Sequence, residues 1–266
     1  VNVHGRRPVL LYGDSFAECV PESRCFQHIL NKDKEFSDQY YLLNYGVGGY
    51  GVDQIFLLLA NSMQHFENPF VIISIMTLDL DRSILSVRLG QKPYFRIENG
   101  GLSLQDDPIY SDLHTFYAEN PPQVRSYLYR RLMNLLRKQF PSYFEVDRKI
   151  PQKIEINERI ILEMVSELRQ RDLDFLFLIF HPHRPGVSSI NEKSGWRERF
   201  LRQLMEENQI PCIWSKDVIL RDCNGSFTHF RRSFDTYFLP QNRHPTTYAN
   251  KLIARRIKAY ILENSP

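Results

Sequence analysis

A serine that follows an apolar segment is the first candidate for chemistry in this chain. The apolar run from Val9 to Tyr12 leads into Gly13-Asp14-Ser15, and a helix-like segment follows. This order places a serine hydroxyl at the carboxyl end of a predicted strand, next to a helix N-terminus, where backbone N–H groups can stabilise a developing oxyanion. A serine hydroxyl becomes a nucleophile only when a base removes its proton. The residues therefore predict a nucleophile at Ser15, provided that a base lies beside it.

His244, near the C-terminus, is the candidate base, because imidazole titrates near neutral pH. Each of the two residues also has a purely structural alternative. The motif Ser15-Phe16-Ala17-Glu18 fits a helix capping box. His244-Pro245 could simply open the helix that follows, with Asn242 or Thr246 as its cap.

Five short apolar runs predict the strands that would position these residues. Continuous apolar runs bounded by turn residues suit strands that are covered on both faces, and amphipathic segments lie between them. This alternation predicts a doubly wound α/β sandwich. The predicted strands are Pro8–Tyr12, Tyr40–Leu43, Phe70–Met76, Asp174–Phe180 and Pro211–Trp214. The predicted helices are Gln54–Met63, Val124–Phe140, Ile156–Arg169, Trp196–Glu206 and Thr246–Leu262.

The segment from about 82 to 151 interrupts this rhythm. It contains a predicted hairpin, Tyr94–Glu98 and Leu102–Leu104, joined at Asn99-Gly100-Gly101. We interpret the segment as an insertion after the third strand of a single domain that spans residues 1–266. Such an insertion is expected over the carboxyl edge of the sheet, where ligands bind in open α/β folds.

The long helix of this insertion is basic. A run of charges on a helix is usually a solvated face, but these residues could also contact an anionic substrate or a membrane surface. The basic residues are Arg125, Arg130, Arg131, Arg137 and Lys138.

The composition bounds the class of protein. The chain has 266 residues, 42% of them hydrophobic and 24% charged, and a formal net charge of +3. These values are typical of a globular protein and give no reason to expect a nucleic-acid partner. We expect no transmembrane segment, because no apolar run approaches the length of a membrane span. The four cysteines lack the spacing of a metal site, and we expect free thiols; a Cys19–Cys25 bridge is the alternative.

Four blocks of the sequence, taken in order, resemble the SGNH/GDSL hydrolase family. They are Gly13-Asp14-Ser15, Asn44-Tyr45-Gly46-Val47-Gly48-Gly49, Met76-Thr77-Leu78-Asp79 and His244-Pro245. The resemblance implies a three-layer, flavodoxin-like α/β/α fold with a five-stranded parallel sheet. It also implies ester chemistry, with Ser15 as nucleophile, His244 as base, and the N–H groups of Ser15 and Gly49 as the oxyanion hole.

Two positions depart from the family pattern. Leu78 stands where the family commonly has an asparagine of the oxyanion hole, and leucine donates no hydrogen bond. Gln241 stands where the family has the aspartate that orients the histidine. Its oxygen could still accept from the imidazole, but it carries no charge. Replacing the triad aspartate in a serine protease costs about 10⁴ in kcat.

Several polar residues are therefore candidates for an orienting role or for lining the cleft. A metal site at His181 and His183 is not expected, because no acidic partner is suitably spaced. The candidates are Asp14, Gln241, Asp79, Asp81 and His183, with Asp235 as a further acid.

The sequence thus predicts a serine esterase that acts on an O-acyl or acetyl ester, such as an acetylated carbohydrate. The alternatives are an O-acyltransferase that uses the same serine, and a catalytically degenerate domain that only binds. We expect a small-molecule or carbohydrate ester as substrate, and no cofactor or metal. The oligomeric state is left open. The compartment is also open: cytoplasmic, or membrane-anchored or exported if an N-terminal segment has been removed.

Overall fold

A central parallel sheet organises the chain. A computed structural model describes residues 5–88, 90–105, 110, 112–121, 126–139, 149–182 and 195–264. Five strands pair in the order β2-β1-β3-β6-β7, all of them parallel. These strands are β1 (Arg7–Gly13), β2 (Tyr40–Gly46), β3 (Phe70–Met76), β6 (Phe175–Phe180) and β7 (Cys212–Trp214). The predicted α/β fold is confirmed, and the strand ends differ from those of the predicted apolar runs by at most three residues.

Helices cover both faces of this sheet. The helices in the first half of the chain are α1 (Ser15–Glu18), α2 (Phe26–Leu30), α3 (Lys34–Ser37), α4 (Val52–Ser62), α5 (Asp79–Arg82), α6 (Leu113–Glu119) and α7 (Tyr127–Gln139). Those in the second half are α8 (Ile150–Gln170), α9 (Trp196–Glu207), α10 (Ser215–Asp222), α11 (Phe227–Arg232), α12 (Phe234–Tyr237) and α13 (Thr247–Asn264). A 3₁₀ turn, Met63–His65, follows α4.

The core is split by the sheet because successive side chains of a strand point to opposite faces. On β1, Val9 and Leu11 pack with the helices α1, α2 and α13. Leu10 and Tyr12 of the same strand pack with α4, α8 and α9 on the other face. Ser15 therefore follows a strand, β1, that is buried on both faces.

The hairpin of the insertion forms as predicted, from β4 (Tyr94–Glu98) and β5 (Gly101–Gln105). Its two-residue turn has positive φ at Asn99 (54°) and Gly100 (78°), as a type I′ turn requires. The hairpin packs against α4 and α8, and the rings of Phe56 and Phe95 lie 5.8 Å apart. We expected the insertion over the carboxyl ends of the strands. Its hairpin instead packs against the helices α4 and α8.

The helix α7 covers most of the predicted segment Val124–Phe140, and Arg125 lies outside the described residues. Within the described part of the chain, no helix is both long and apolar enough to cross a membrane.

Candidate active site

Ser15 is the first residue of α1, directly after the carboxyl end of β1. Asp14 caps this helix: its Oδ1 accepts the N–H of Phe16 at 2.9 Å. Because the cap is Asp14, the capping-box alternative for Ser15 does not describe this helix. The Ser15 hydroxyl therefore has no capping role in this helix.

The structure brings His244 to Ser15 across 229 positions of the chain. The distance between His244 Nε2 and Ser15 Oγ is 2.9 Å, within hydrogen-bonding range. The imidazole ring also packs against Phe16, with the ring centroids 4.9 Å apart. A nucleophile and a base at this separation are the minimal arrangement for nucleophilic catalysis by serine.

Hydrogen bonds to the backbone of His244 hold the loop that carries it. Asn242 Oδ1 accepts the N–H of His244 at 3.0 Å, and the Leu239 N–H donates to the carbonyl of His244 at 2.8 Å. The helix α13 starts three residues later, where Thr246 Oγ1 accepts the N–H of Ala249 at 3.3 Å. Thr246 therefore supplies the cap, and His244 lies in a separate turn before the helix.

The glycine segment after β2 forms a tight turn beside Ser15. The Tyr50 N–H donates to the Val47 carbonyl at 3.3 Å, and Gly49 has φ +89°, as the third residue of a type II turn requires. A Cβ on Gly48 would lie 3.8 Å from Ser15 Cβ, so this turn runs directly past the serine. The role of the Gly49 N–H as an oxyanion donor stays a prediction.

A buried cluster of charges lies immediately behind Ser15. Arg82 Nη1 donates to Asp14 Oδ2 at 3.1 Å, to Asp79 Oδ1 at 2.5 Å and to the Tyr50 carbonyl at 3.0 Å. Asp79 Oδ2 in turn accepts the N–H of Met76 at 2.8 Å. One guanidinium thus connects the residue before Ser15, the glycine turn and the end of β3. The sequence pointed to Asp14 and Asp79, but it did not single out Arg82.

The carboxyl groups in this cluster are strongly perturbed. Burial raises the pKa of Asp14, against the lowering effects of the Phe16 N–H, of Arg82 and of the charge on His244. Burial and the adjacent Asp14 carboxylate hold the pKa of Asp79 well above its usual value. Two buried acids therefore compete for one cation, and protonating one of them relieves their mutual repulsion.

The two departures from the family pattern are visible in the structure. Leu78 is partly buried and packs against the core on the face of α1, so it provides packing and no donor. Gln241 is exposed, and within the described part of the chain no hydrogen bond joins it to His244.

The remaining candidate acids lie elsewhere. Asp81 binds Lys153 Nζ at 2.6 Å and Arg197 Nη2 at 2.6 Å, and so ties α5 to α8 and α9. Asp235 is exposed on α12.

Two histidines, His181 and His183, follow β6. His183 lies outside the described residues. His181 is buried on the opposite face of the sheet against Trp214, and burial lowers its pKa to about 3, so it is neutral. Among the described residues, no three His, Cys, Asp or Glu side chains are close enough together to hold a metal ion.

A disulfide lies close to Ser15. Cys19, which ends α1, is bonded to Cys25, which precedes α2. The expectation of free thiols is wrong for this pair, whereas Cys212 and Cys223 are free. Asn44 Nδ2 adds a link from β2, since it donates to the Ala17 carbonyl at 2.9 Å. The short helix that carries Ser15 is therefore fixed by a cap at its start and by a covalent bond at its end.

Comparison with solved structures places this arrangement in a known fold. An acetyl xylan esterase, AlAXEase, superimposes with a TM-score of 0.51 at 12% identity, covering 96% of this chain and 99% of the other. The psychrotrophic esterase EstA from Pseudoalteromonas sp. gives a TM-score of 0.52 at 12% identity, covering 97% of each chain. A protein described as lipolytic, of the G-D-S-L family, from Desulfitobacterium hafniense DCB-2 gives 0.50 at 12% identity, covering 96% of this chain and 99% of the other.

No protein-family model matches the sequence. No curated protein matches it either. The structural likeness nevertheless extends over nearly the whole of each chain, and the solved proteins are esterases and lipolytic proteins. The chain has the SGNH/GDSL hydrolase fold, as the order of its sequence blocks predicted.

Proposed function

We propose that this chain is a serine esterase that cleaves O-acyl esters through Ser15 and His244. The observation that carries the proposal is the 2.9 Å distance between Ser15 Oγ and His244 Nε2 at the carboxyl edge of the sheet. In open α/β folds this edge is where ligands bind.

The first half of the reaction forms an acyl-enzyme. His244 Nε2 accepts the hydroxyl proton of Ser15 while Oγ bonds to the ester carbonyl carbon. The N–H groups of Ser15 and Gly49 stabilise the resulting oxyanion. The tetrahedral intermediate collapses, the bond to the alkoxy oxygen breaks, and that oxygen takes the proton from His244.

The second half regenerates the enzyme. His244 removes a proton from water, and the hydroxide oxygen bonds to the acyl carbon. The bond to Ser15 Oγ then breaks, Oγ recovers the proton from His244, and the carboxylic acid leaves. A sugar hydroxyl in place of water would complete an acyl transfer by the same steps.

Two features predict a slower enzyme than a complete triad would give. Leu78 adds no third donor to the oxyanion hole, and losing one such donor costs about 10²–10³ in kcat. Gln241 brings no negative charge to the imidazolium that forms. The loop hydrogen bonds of His244 and its packing on Phe16 hold the imidazole in position, and the buried Asp14 carboxylate interacts with it electrostatically.

The substrate class we favour is a small acyl group on a carbohydrate hydroxyl. The support is the likeness to a solved acetyl xylan esterase, which shares the fold at 12% identity. Release of acetate from acetylated xylan, compared with release of p-nitrophenol from p-nitrophenyl acetate, measures this preference.

The esterase proposal is tested with Ser15→Ala and His244→Ala on p-nitrophenyl acetate. Each variant should lose at least about 10³-fold in kcat, because the serine and its base act as one unit. The matched control is Ser37→Ala on α3, a serine of the described chain remote from the carboxyl edge, which should keep the wild-type rate. Equal rates for wild type and Ser15→Ala would contradict the proposal.

A domain that only binds its ligand is the second candidate, and Leu78 and Gln241 are the observations that favour it. It predicts no turnover by the wild type, together with saturable binding of an acylated sugar that Ser15→Ala retains. Turnover that depends on Ser15 excludes this alternative.

A further inference from the structure

The helix α7 exposes an apolar face that the rest of the described chain does not cover. Leu128, Leu132 and Leu135 follow the i, i+4, i+7 spacing of a single helix face. These three residues are 78%, 52% and 55% exposed. Buried leucines stabilise a fold, whereas these contribute nothing to the core. A contiguous apolar face of this kind marks an interaction site.

The charge of the helix points to the kind of partner. The segment 126–139 carries four basic residues and no acidic residue, more positive charge than the net +3 of the whole chain. Arg130 and Arg131 are exposed and lie outside the leucine face. Tyr127 and Tyr129 add exposed aromatic rings, which favour the boundary between water and lipid.

We propose that α7 docks the protein on an anionic membrane surface, with its leucine face in the acyl boundary and its arginines on lipid headgroups. Helices with one apolar face and a cationic remainder bind in this way. At 13 residues, α7 is about 20 Å long, shorter than the roughly 30 Å hydrocarbon core, so it lies along the surface.

Other occupants fit the observations less well. A second copy of the chain would bring two strongly cationic helices together, and their repulsion opposes that contact. A nucleic acid would engage the arginines but leave the leucine face in water. The membrane surface is the partner that satisfies the charge and the apolar face together. This inference does not rest on the esterase proposal.

The test is co-sedimentation of the full chain with vesicles. Vesicles of phosphatidylcholine mixed with phosphatidylglycerol should bind it, vesicles of phosphatidylcholine alone should bind it much less, and added salt should weaken the binding. Arg130→Gln/Arg131→Gln should reduce the partition to anionic vesicles about 30-fold, since each basic side chain near such a surface contributes about a factor of five.

Leu128→Ala/Leu132→Ala should reduce it at least about tenfold through the lost apolar contact. The matched control is Arg255→Gln/Arg256→Gln, which removes two exposed charges from α13 and should bind as the wild type does. All variants should keep the wild-type melting temperature, because none of these side chains lies in the core.

The proposal is overturned if the wild type does not distinguish anionic from neutral vesicles, or if the control loses as much binding as the arginine variant. It is also overturned if the leucine variant changes only the oligomeric state in solution, which would make the face a contact between copies. Ester hydrolysis, measured in the same samples, should be unaffected with a water-soluble substrate.

Discussion

We predict that the buried Arg82 stabilises the fold and also fixes the position of Ser15. Its guanidinium donates to Asp14 Oδ2, Asp79 Oδ1 and the Tyr50 carbonyl, and only 8% of its side chain is exposed. The Asp14 and Asp79 side chains are fully buried. Arg82→Met keeps the apolar stem but leaves two buried carboxyl groups with no cation.

The expected cost of Arg82→Met is about 3–5 kcal/mol in the free energy of unfolding at neutral pH, the usual penalty for removing one partner of a buried ion pair. Adding Asp79→Asn should recover about 1–3 kcal/mol, because the repulsion between the two carboxyl groups is then gone. The matched control is Arg171→Met, which breaks an exposed pair with Glu167 and should cost less than about 1 kcal/mol.

The penalty should also depend on pH. The pKa values of Asp14 and Asp79 are raised in the folded protein, so protonation of these groups favours the folded state. Loss of the cation raises both pKa values further. The destabilisation by Arg82→Met should therefore be largest at neutral pH and shrink as the pH falls.

Urea denaturation followed by circular dichroism, at neutral and at acidic pH, measures these quantities. The rate of p-nitrophenyl acetate hydrolysis by the folded variant, measured without urea, tests separately whether Ser15 is still correctly positioned. The reasoning is refuted if Arg82→Met costs no more than the Arg171 control, or if its cost grows as the pH is lowered.

Three further predictions concern the site and its supports. Cys25→Ser, or reduction of the wild type, should lower the free energy of unfolding by about 2 kcal/mol, because a covalent loop is opened; urea denaturation with and without reductant checks this. Leu78→Asn should raise kcat on p-nitrophenyl acetate by up to about 10²-fold, because it restores an oxyanion donor, whereas Leu78→Ala should give no gain. Burial raises the pKa of Asp53 to about 6, so stability should fall by about 3 kcal/mol as the pH rises from about 4 to 6. In Asp53→Asn this contribution should be absent, so that stability falls by about 3 kcal/mol less over the same pH range.

The sequence predicts the sheet well because the strands are buried on both faces. In the run Phe70–Met76 every residue except Ser74 is apolar, as expected for a parallel strand covered on both faces, and the observed β3 has the same bounds. The glycine turn and the hairpin were also visible, since positive φ at Gly49 and at Asn99-Gly100 needs these residue types. In these segments the local sequence determines the local structure.

The ion pairs and the disulfide that stabilise the site could not be predicted from local sequence patterns. Arg82 meets Asp14 across 68 positions of the chain, and its sequence neighbours suggested only a helix end. The sequence favoured free thiols at Cys19 and Cys25, because their spacing alone does not show that the folded chain brings the two sulfur atoms together. The pairing of Ser15 with His244 could be expected because the order of the blocks resembles a known family; the spacing alone does not give it.

The most direct test of the account is intact-protein mass spectrometry after exposure to a fluorophosphonate probe. The account predicts one covalent adduct on the wild type, located at Ser15 by peptide mapping. The adduct should be absent from Ser15→Ala, form much more slowly on His244→Ala, and form at the wild-type rate on Ser37→Ala. No adduct on the folded wild type, or an adduct that persists in Ser15→Ala, would contradict the claim that Ser15 is an activated nucleophile.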